Sequence, residues 1–310
     1  MSALICGSFA YDTIMVFPDQ FKRHILPDKV HILNVSFQVP QMRREYGGCA
    51  GNIAYNLKLL GGSPLPMATV GRDFGPYADW MDRCGVERRH VKALDDIYTA
   101  QAFITTDMDD NQITAFHPGA MNRSHEVSVR EAKGVTIGMV SPDGREGMLK
   151  HAAEFAEAGI PFVFDPGQGI VLFNGPELQN FVRQAAWVTL NDYEAQLLRE
   201  RTGKSIEELA RGVRAIIVTL GGKGSQIYTE GRMVEIPAAN ARTIKDPTGC
   251  GDAYRAGLLH GLAQGLDWKT TGRIAALMGA IKIEHPGTQN HRFTQDEFKS
   301  RFRESFGYAL

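Results

Sequence analysis

The chain is poor in cysteine, in net charge and in long apolar runs, and each shortage removes a class of protein. Four cysteines (Cys6, Cys49, Cys84 and Cys250) are spread over 310 residues without a Cys-x-x-Cys pair. That spacing argues against a disulfide framework or structural zinc and reads as free thiols in a reducing cytoplasm. Basic residues number 34 against 35 acidic ones, a formal charge of −1, so nothing marks a nucleic-acid or membrane-surface partner. No apolar stretch approaches the roughly 18 residues that span a bilayer. The N-terminus enters an apolar strand at Ala3 with no basic leader, against a signal peptide. A Gly-x-x-x-x-Gly-Lys-[Ser/Thr] run is also missing, which excludes a P-loop enzyme. Repeats and low-complexity tracts are absent.

What is present suits a substantial core: 43% of the residues are hydrophobic. The length fits one large α/β domain or two smaller ones. Short apolar runs alternate with amphipathic stretches, the pattern of a mostly parallel sheet covered by helices. The runs predict strands at 3–6, 67–70, 135–140, 162–164, 187–190, 216–219 and 233–236. Helices are predicted at 50–60, 77–83, 146–157, 177–184, 193–201, 254–265, 269–285 and 296–305. Several strands run directly into polar or glycine residues, as at Asp165, Asn191 and Gly221. In open α/β sheets the ligand crevice lies at those carboxyl ends. Two segments break the alternation. Residues 12–41 lack helical periodicity, and 98–117 reads as a hairpin with strands 102–106 and 112–116 around an acidic turn. Extended insertions of this kind often form a lid.

The most informative stretch is Asp246-Pro247-Thr248-Gly249-Cys250-Gly251-Asp252-Ala253. Glycines opening a helix expose N–H groups at the positive end of its dipole, a ready anion site. Asp252 stands beside that site without filling it. A proton acceptor next to a cradle for developing negative charge is the minimum apparatus for moving a phosphoryl group onto a hydroxyl. Ala253, Ala256, Gly257 and Gly261 recur at helical spacing, so one helix face is nearly bare and suited to close packing. A second glycine cluster, Gly47-Gly48-Cys49-Ala50-Gly51-Asn52, opens another helix, with an asparagine able to bond vicinal hydroxyls.

Together these two clusters closely resemble the signature motifs of the ribokinase-like (PfkB) family of sugar and nucleoside kinases. Other pieces follow in the family's order. Gly7-Ser8 with Asp12 is similar to its N-terminal substrate strand, and Gly71-Arg72-Asp73-Phe74-Gly75 to its Gly-x-Asp-x-x-Gly turn. Asn191-Asp192-Tyr193-Glu194 resembles its Asn-x-x-Glu motif, although Asn191 and Glu194 also read as an N-cap and first-turn carboxylate. Thr219-Leu220-Gly221-Gly222-Lys223-Gly224 resembles the nucleotide-phosphate turn. The resemblance spans nearly the whole chain. It implies one ribokinase-like α/β domain over 1–310, a central mostly parallel sheet flanked by helices. A small β lid would come from about 13–41 and 98–117.

The resemblance also implies roles. Asp252 would take the proton from the acceptor hydroxyl, and Gly249, Cys250 and Gly251 would supply the anion hole. Asp12 and Asn52 would grip the ribose hydroxyls, with Gly48 and Ser8 lining that site. Asn191, Thr219, Gly221 and Gly224 would border the ATP phosphates, and Asn191 and Glu194 would order Mg²⁺ through water. ATP and Mg²⁺ are the implied cofactors, with room for K⁺, and many relatives pair as homodimers through their lids.

The acceptor is read from finer detail. Arg255-Ala256-Gly257, the hairpin's Phe116-His117-Pro118-Gly119, Asp165-Pro166-Gly167-Gln168 and Gly287-Thr288-Gln289 resemble the bacterial adenosine kinase branch. Phe103 and Phe116 alternate with polar neighbours and are expected on one lid face, where two rings could sandwich a purine. Gln168 is the candidate for a hydrogen bond to the base. Departures are Gly169, where that branch often has a second glutamine, and Tyr254, where phenylalanine is usual. The expected reaction is phosphorylation of the adenosine 5′-hydroxyl by ATP, giving AMP. A ribose or fructose kinase, or a non-catalytic binder of the same fold, is the alternative.

Overall fold

The computed structural model describes residues 2–25, 34–109 and 111–310. The part of the expected lid segment from 26 to 33, and one residue of the acidic turn, lie outside them. Among the described residues the chain runs β1 (Ser2–Cys6), β2 (Ala10–Val16), β3 (Gln41–Gly47), α1 (Cys49–Leu59), β4 (Ser63–Gly71) and α2 (Gly75–Arg83). It continues through β5 (His90–Leu94), β6 (Ala100–Thr106), β7 (Gln112–His117), β8 (Val135–Val140), α3 (Arg145–Glu157) and β9 (Phe162–Phe164). Then come α4 (Gly175–Gln184), β10 (Trp187–Asn191), α5 (Asp192–Thr202), α6 (Ile206–Ala210) and β11 (Ala215–Thr219). The last elements are β12 (Ser225–Thr229), β13 (Arg232–Ile236), α7 (Cys250–Ala263), α8 (Trp268–Ile283) and α9 (Gln295–Phe306).

Nine of the described strands form one sheet in the order β13-β12-β11-β10-β9-β8-β1-β4-β5. It is parallel from β5 to β11, and β12 and β13 close it as an antiparallel edge. Side chains of a strand alternate between faces, and here both faces are buried. Ala3, Ile5, Val163, Ala215 and Ile217 join one core with residues of α1, α2, α7 and α8. Their neighbours Leu4, Cys6, Phe162, Phe164, Ile216 and Val218 join a second core with residues of α3 to α6. That double burial explains why these strands read as continuous apolar runs.

The other four strands form a separate small sheet, ordered β3-β2-β6-β7. Its centre is a parallel β2–β6 pair, flanked by antiparallel β3 and β7. The register corrects one expectation. Phe116 pairs with Ala102, and Phe103 pairs with Ala115. Directly paired residues share a face, so the two rings lie on opposite faces of the sheet. Ala102 is also in register with Asp12 on β2, which puts Phe116 on the face of Asp12 and Phe103 on that of Thr13.

Two joints decide where the site forms. Helix α7 begins at Cys250, earlier than the expected 254, so Asp252 sits in its first turn. Its bare face meets α8 closely: a Cβ added at Gly257 would lie 2.6 Å from the Ala275 Cα. Gly48 is the single residue between β3 and α1, held at φ 87. A Cβ there would lie 2.6 Å from backbone atoms of Ser8, Phe9 and Ala10. Gly48→Ala should therefore lower stability by about 3 kcal/mol or more, from left-handed strain plus overlap. Gly203→Ala, also at positive φ but with open space around it, should lose only about 1 kcal/mol. Urea midpoints of the two variants check the difference.

Candidate active site

The carboxyl ends of β1, β9, β10 and β11 converge with the first turns of α1 and α7, and most of the predicted residues gather there. The two glycine clusters meet through one bond: Asn52 Nδ2 donates to Asp252 Oδ2 at 2.8 Å, across 200 positions of sequence. Burial pushes the Asp252 carboxyl up to about 6, against the lowering pull of the Asn52 bond, the Arg255 charge and the Cys49 thiol. Asp252 thus remains mainly carboxylate at neutral pH, while its proton affinity is well above that of an exposed aspartate. Asp12 is also pushed up to about 6, by burial first and then by Glu45 and Asp246.

Helix α1 is built for this meeting. The Ser8 hydroxyl accepts from the Cys49 amide at 3.2 Å and its carbonyl from the Ala50 amide at 3.0 Å. Ser8 therefore satisfies the open end of α1, a structural duty beside any contact with a ligand. At the open end of α7, Gly249 is the N-cap at φ 78, and an added Cβ would lie 3.0 Å from Thr288. One anion-hole expectation needs correction. The Cys250 amide is bonded back to the Pro247 carbonyl at 3.1 Å, because residues 247–250 close a tight turn. The Cys250 thiol, pushed up to about 11 by burial, stays neutral. Among the described residues the Gly249 and Gly251 amides have no such loop or turn partner, and both lie at the start of α7 in its dipole field.

Asn191 and Thr219 sit in register at the ends of β10 and β11. Asn191 and Glu194 form a complete capping box: the Glu194 amide bonds Asn191 Oδ1 at 2.7 Å, and the Asn191 amide bonds Glu194 Oε2 at 2.8 Å. Gly221 and Gly224 border the short turn after β11, both at positive φ. Phe116 and Gln168 stand away from these bonds, both exposed. Gln168 lies in the turn after β9, with no hydrogen bond to another site residue among the described ones. A cavity of about 960 Å³ lined by Trp187, Arg214 and Trp268 opens at the opposite, amino-terminal ends of the strands and holds none of these residues.

Three residues do work that sequence reasoning left unassigned. Gln289 is buried and donates to Asn52 Oδ1 at 2.9 Å, while its own oxygen accepts from the Trp80 indole at 2.8 Å. It thereby fixes which end of the Asn52 amide faces Asp252. Arg255, one turn beyond Asp252, forks onto both Asp165 oxygens at 2.6 and 2.8 Å and lies 3.7 Å from Glu194. Asp73 accepts from the Thr99 amide at 2.8 Å and from Gln101 at 2.9 Å, clasping the small sheet to the β4–α2 turn. Gln289 lay in a motif already noticed, but only the fold shows what it touches.

Residues 11–295 match the pfkB family of carbohydrate kinases. A nucleoside kinase of Methanocaldococcus jannaschii is 32% identical over 270 residues, 86% of this chain and 89% of that protein. A nucleoside kinase structure from Burkholderia thailandensis in complex with inosine shares 51% identity at a TM-score of 0.90, covering 99% of both chains. The same kinase in complex with ADP-inosine shares 53% identity at a TM-score of 0.88, over 99% of this chain and 97% of that one. The chain belongs to the pfkB family and has its ribokinase-like fold. It is a phosphotransferase with an alcohol acceptor. No helix among the described residues is long and apolar enough to cross a membrane.

The Asn52–Asp252 bond stabilises the ionised carboxylate, so its loss should raise the Asp252 pKa further. Asn52→Ala is expected to move that titration from about 6 upward by about one unit. Carboxyl carbon NMR shifts across pH 4–9 (roughly the window in which such groups titrate) read it directly. An unchanged or lower midpoint would contradict the assigned electrostatics.

Proposed function

We propose that this chain is an ATP-dependent nucleoside kinase that phosphorylates the 5′-hydroxyl of purine nucleosides, adenosine among them. The observation that carries the reading is the Asn52–Asp252 contact, which sets a base of pKa about 6 against a hydroxyl-binding amide at the mouth of an anion cradle. The relatives support the acceptor class, since proteins 32% and 51% identical are nucleoside kinases and one binds inosine. That ligand widens the expectation from adenosine to purine nucleosides.

In this reading Asp12 and Asn52 hold the ribose hydroxyls, and the 5′-hydroxyl lies against Asp252. As its oxygen bonds to the γ-phosphorus, its proton passes to Asp252 and the bond to the ADP oxygen breaks. The amides of Gly249 and Gly251 and the α7 dipole meet the charge on the transferring group. General-base help supplies roughly 10²- to 10⁴-fold, and positioning and charge stabilisation supply the rest. Mg²⁺ typically takes one or two carboxylates plus substrate phosphates and water. Asn191 and Glu194, bonded to each other at 2.9 Å, would order the ion through water, and one carboxylate fits that pattern. Mg²⁺ held there would neutralise phosphate charge. The small sheet is the lid, with Phe116, not Phe103, stacking on the base. Asn191, Thr219, Gly221 and Gly224 border the ATP phosphates.

Asp252→Asn should lower kcat by at least about a hundredfold with little change in acceptor affinity. For the parent, kcat/KM should fall as pH drops through about 6, because protonation removes the base. Steady-state kinetics at constant ATP check both, and an Asn variant within threefold of the parent would remove Asp252 from the role.

Phe116→Ala should weaken nucleoside binding by about 1–3 kcal/mol and ATP binding hardly at all, while Phe103→Ala leaves both near the parent. Calorimetric titration of each ligand distinguishes the two rings. In coupled assays, adenosine and inosine should exceed ribose and fructose in kcat/KM by about a hundredfold or more. A preference for the free sugars would overturn the acceptor class and leave the phosphoryl-transfer chemistry standing.

A further inference from the structure

Lys282, in the last turn of α8, is fully buried. Its ammonium donates to two main-chain carbonyls, Asp246 at 2.7 Å and His285 at 3.1 Å, with no carboxylate in ion-pair contact among the described residues. Burying a charge is expensive unless something holds it. Burial pulls the ammonium's pKa down, and what opposes it are carbonyl dipoles, the C-terminal end of the α8 dipole, and the negative fields of Asp246 and Glu45. The two carbonyls belong to different segments: Asp246 opens the loop that ends in the anion-hole glycines, and His285 follows α8. The same segments are tied by the Gly287 amide on Asp246 Oδ2 at 2.8 Å and by the Lys245 amide on the Ile283 carbonyl at 2.9 Å, while the Thr248 amide on Asp246 Oδ1 at 2.9 Å closes the loop on itself.

A cation held by converging carbonyls is the arrangement that otherwise replaces the hydration shell of a monovalent ion. The resemblance to the family leaves room for K⁺, and at this junction a lysine ammonium already draws the carbonyls together. We propose that Lys282 is a positioning residue, a tethered cation that holds the 246–251 loop in its anion-binding shape and makes phosphoryl transfer independent of free monovalent cations. This rests on the kinase reading above for its catalytic consequence, though not for its effect on the loop.

The parent should keep its kcat within about twofold when K⁺ is exchanged for choline at constant ionic strength. Lys282→Ala should lower kcat about tenfold or more with less than about threefold change in acceptor KM, since the anion hole acts on the transition state. Added methylammonium or K⁺ should restore part of that loss. Hydrogen exchange of the peptide covering 246–251 should quicken in the variant. A parent that loses more than about fivefold in choline overturns the proposal, as does a folded variant with parental kcat or unchanged exchange. Should Lys282→Ala fail to fold, Lys282→Met and the cation exchange on the parent decide. A parent inactive on every acceptor would sink the kinase reading, while the exchange measurement would still judge the loop.

Discussion

The site depends on one hydrogen bond between two helix starts that are far apart in sequence. Asn52 and Asp252 each occupy the first turn of a helix, and each helix packs on the same face of the large sheet. Neither side chain alone defines a site. Brought together, the amide sets the ionisation of the carboxylate, and Gln289 behind it sets the direction of the amide. The chain Trp80–Gln289–Asn52–Asp252 has a donor and acceptor at every step, so each group has one favoured orientation. Fully satisfied polar networks are what make such rigidity affordable in a low-dielectric interior.

Behind that chain stands a second, charged one. Arg255 lies one helical turn past Asp252 and is clamped by Asp165, so rotation of α7 about its own axis would pull an arginine off a carboxylate. Breaking such a buried pair typically costs about 3–5 kcal/mol, because one charge is left unpaired. The rotation of α7 about its axis is thereby pinned from the sheet side by Asp165, while Lys282 holds the Asp246 carbonyl of the loop that leads into the helix. The start of α7 is built from glycine, and what holds it in place comes from elsewhere.

Much of this was legible in sequence, for a physical reason. Strands buried on both faces write themselves as apolar runs, and β1, β8, β9, β10 and β11 all lay where those runs predicted. Strands β5 and β12 were not anticipated: β5 is an edge strand with Lys92 exposed, and β12 is half polar, so neither carries an apolar run. The small-residue periodicity of α7 is clear only from 254 onward, but the glycines read as opening a helix do so, with a left-handed Gly249 as its cap. The lid aromatics show a sharper limit. Alternation within a strand says which residues share a face of that strand, but only inter-strand register says which residues of two strands do. The partners of Gln289, Arg255 and Lys282 are products of tertiary contact and leave no local trace.

Strand β3 ends at Gly47 and helix α1 begins at Cys49, so one residue joins the small sheet to the helix that carries Asn52. A connection that short has no slack. A loop of several residues would absorb a displacement by bending, but here the peptide planes on either side are stiff and only the two torsions of Gly48 can turn. At this corner the small sheet and α1 behave as a lever and its shaft. Any swing of the sheet is delivered as torque to the end of α1, a few ångströms from the Asp252 carboxylate.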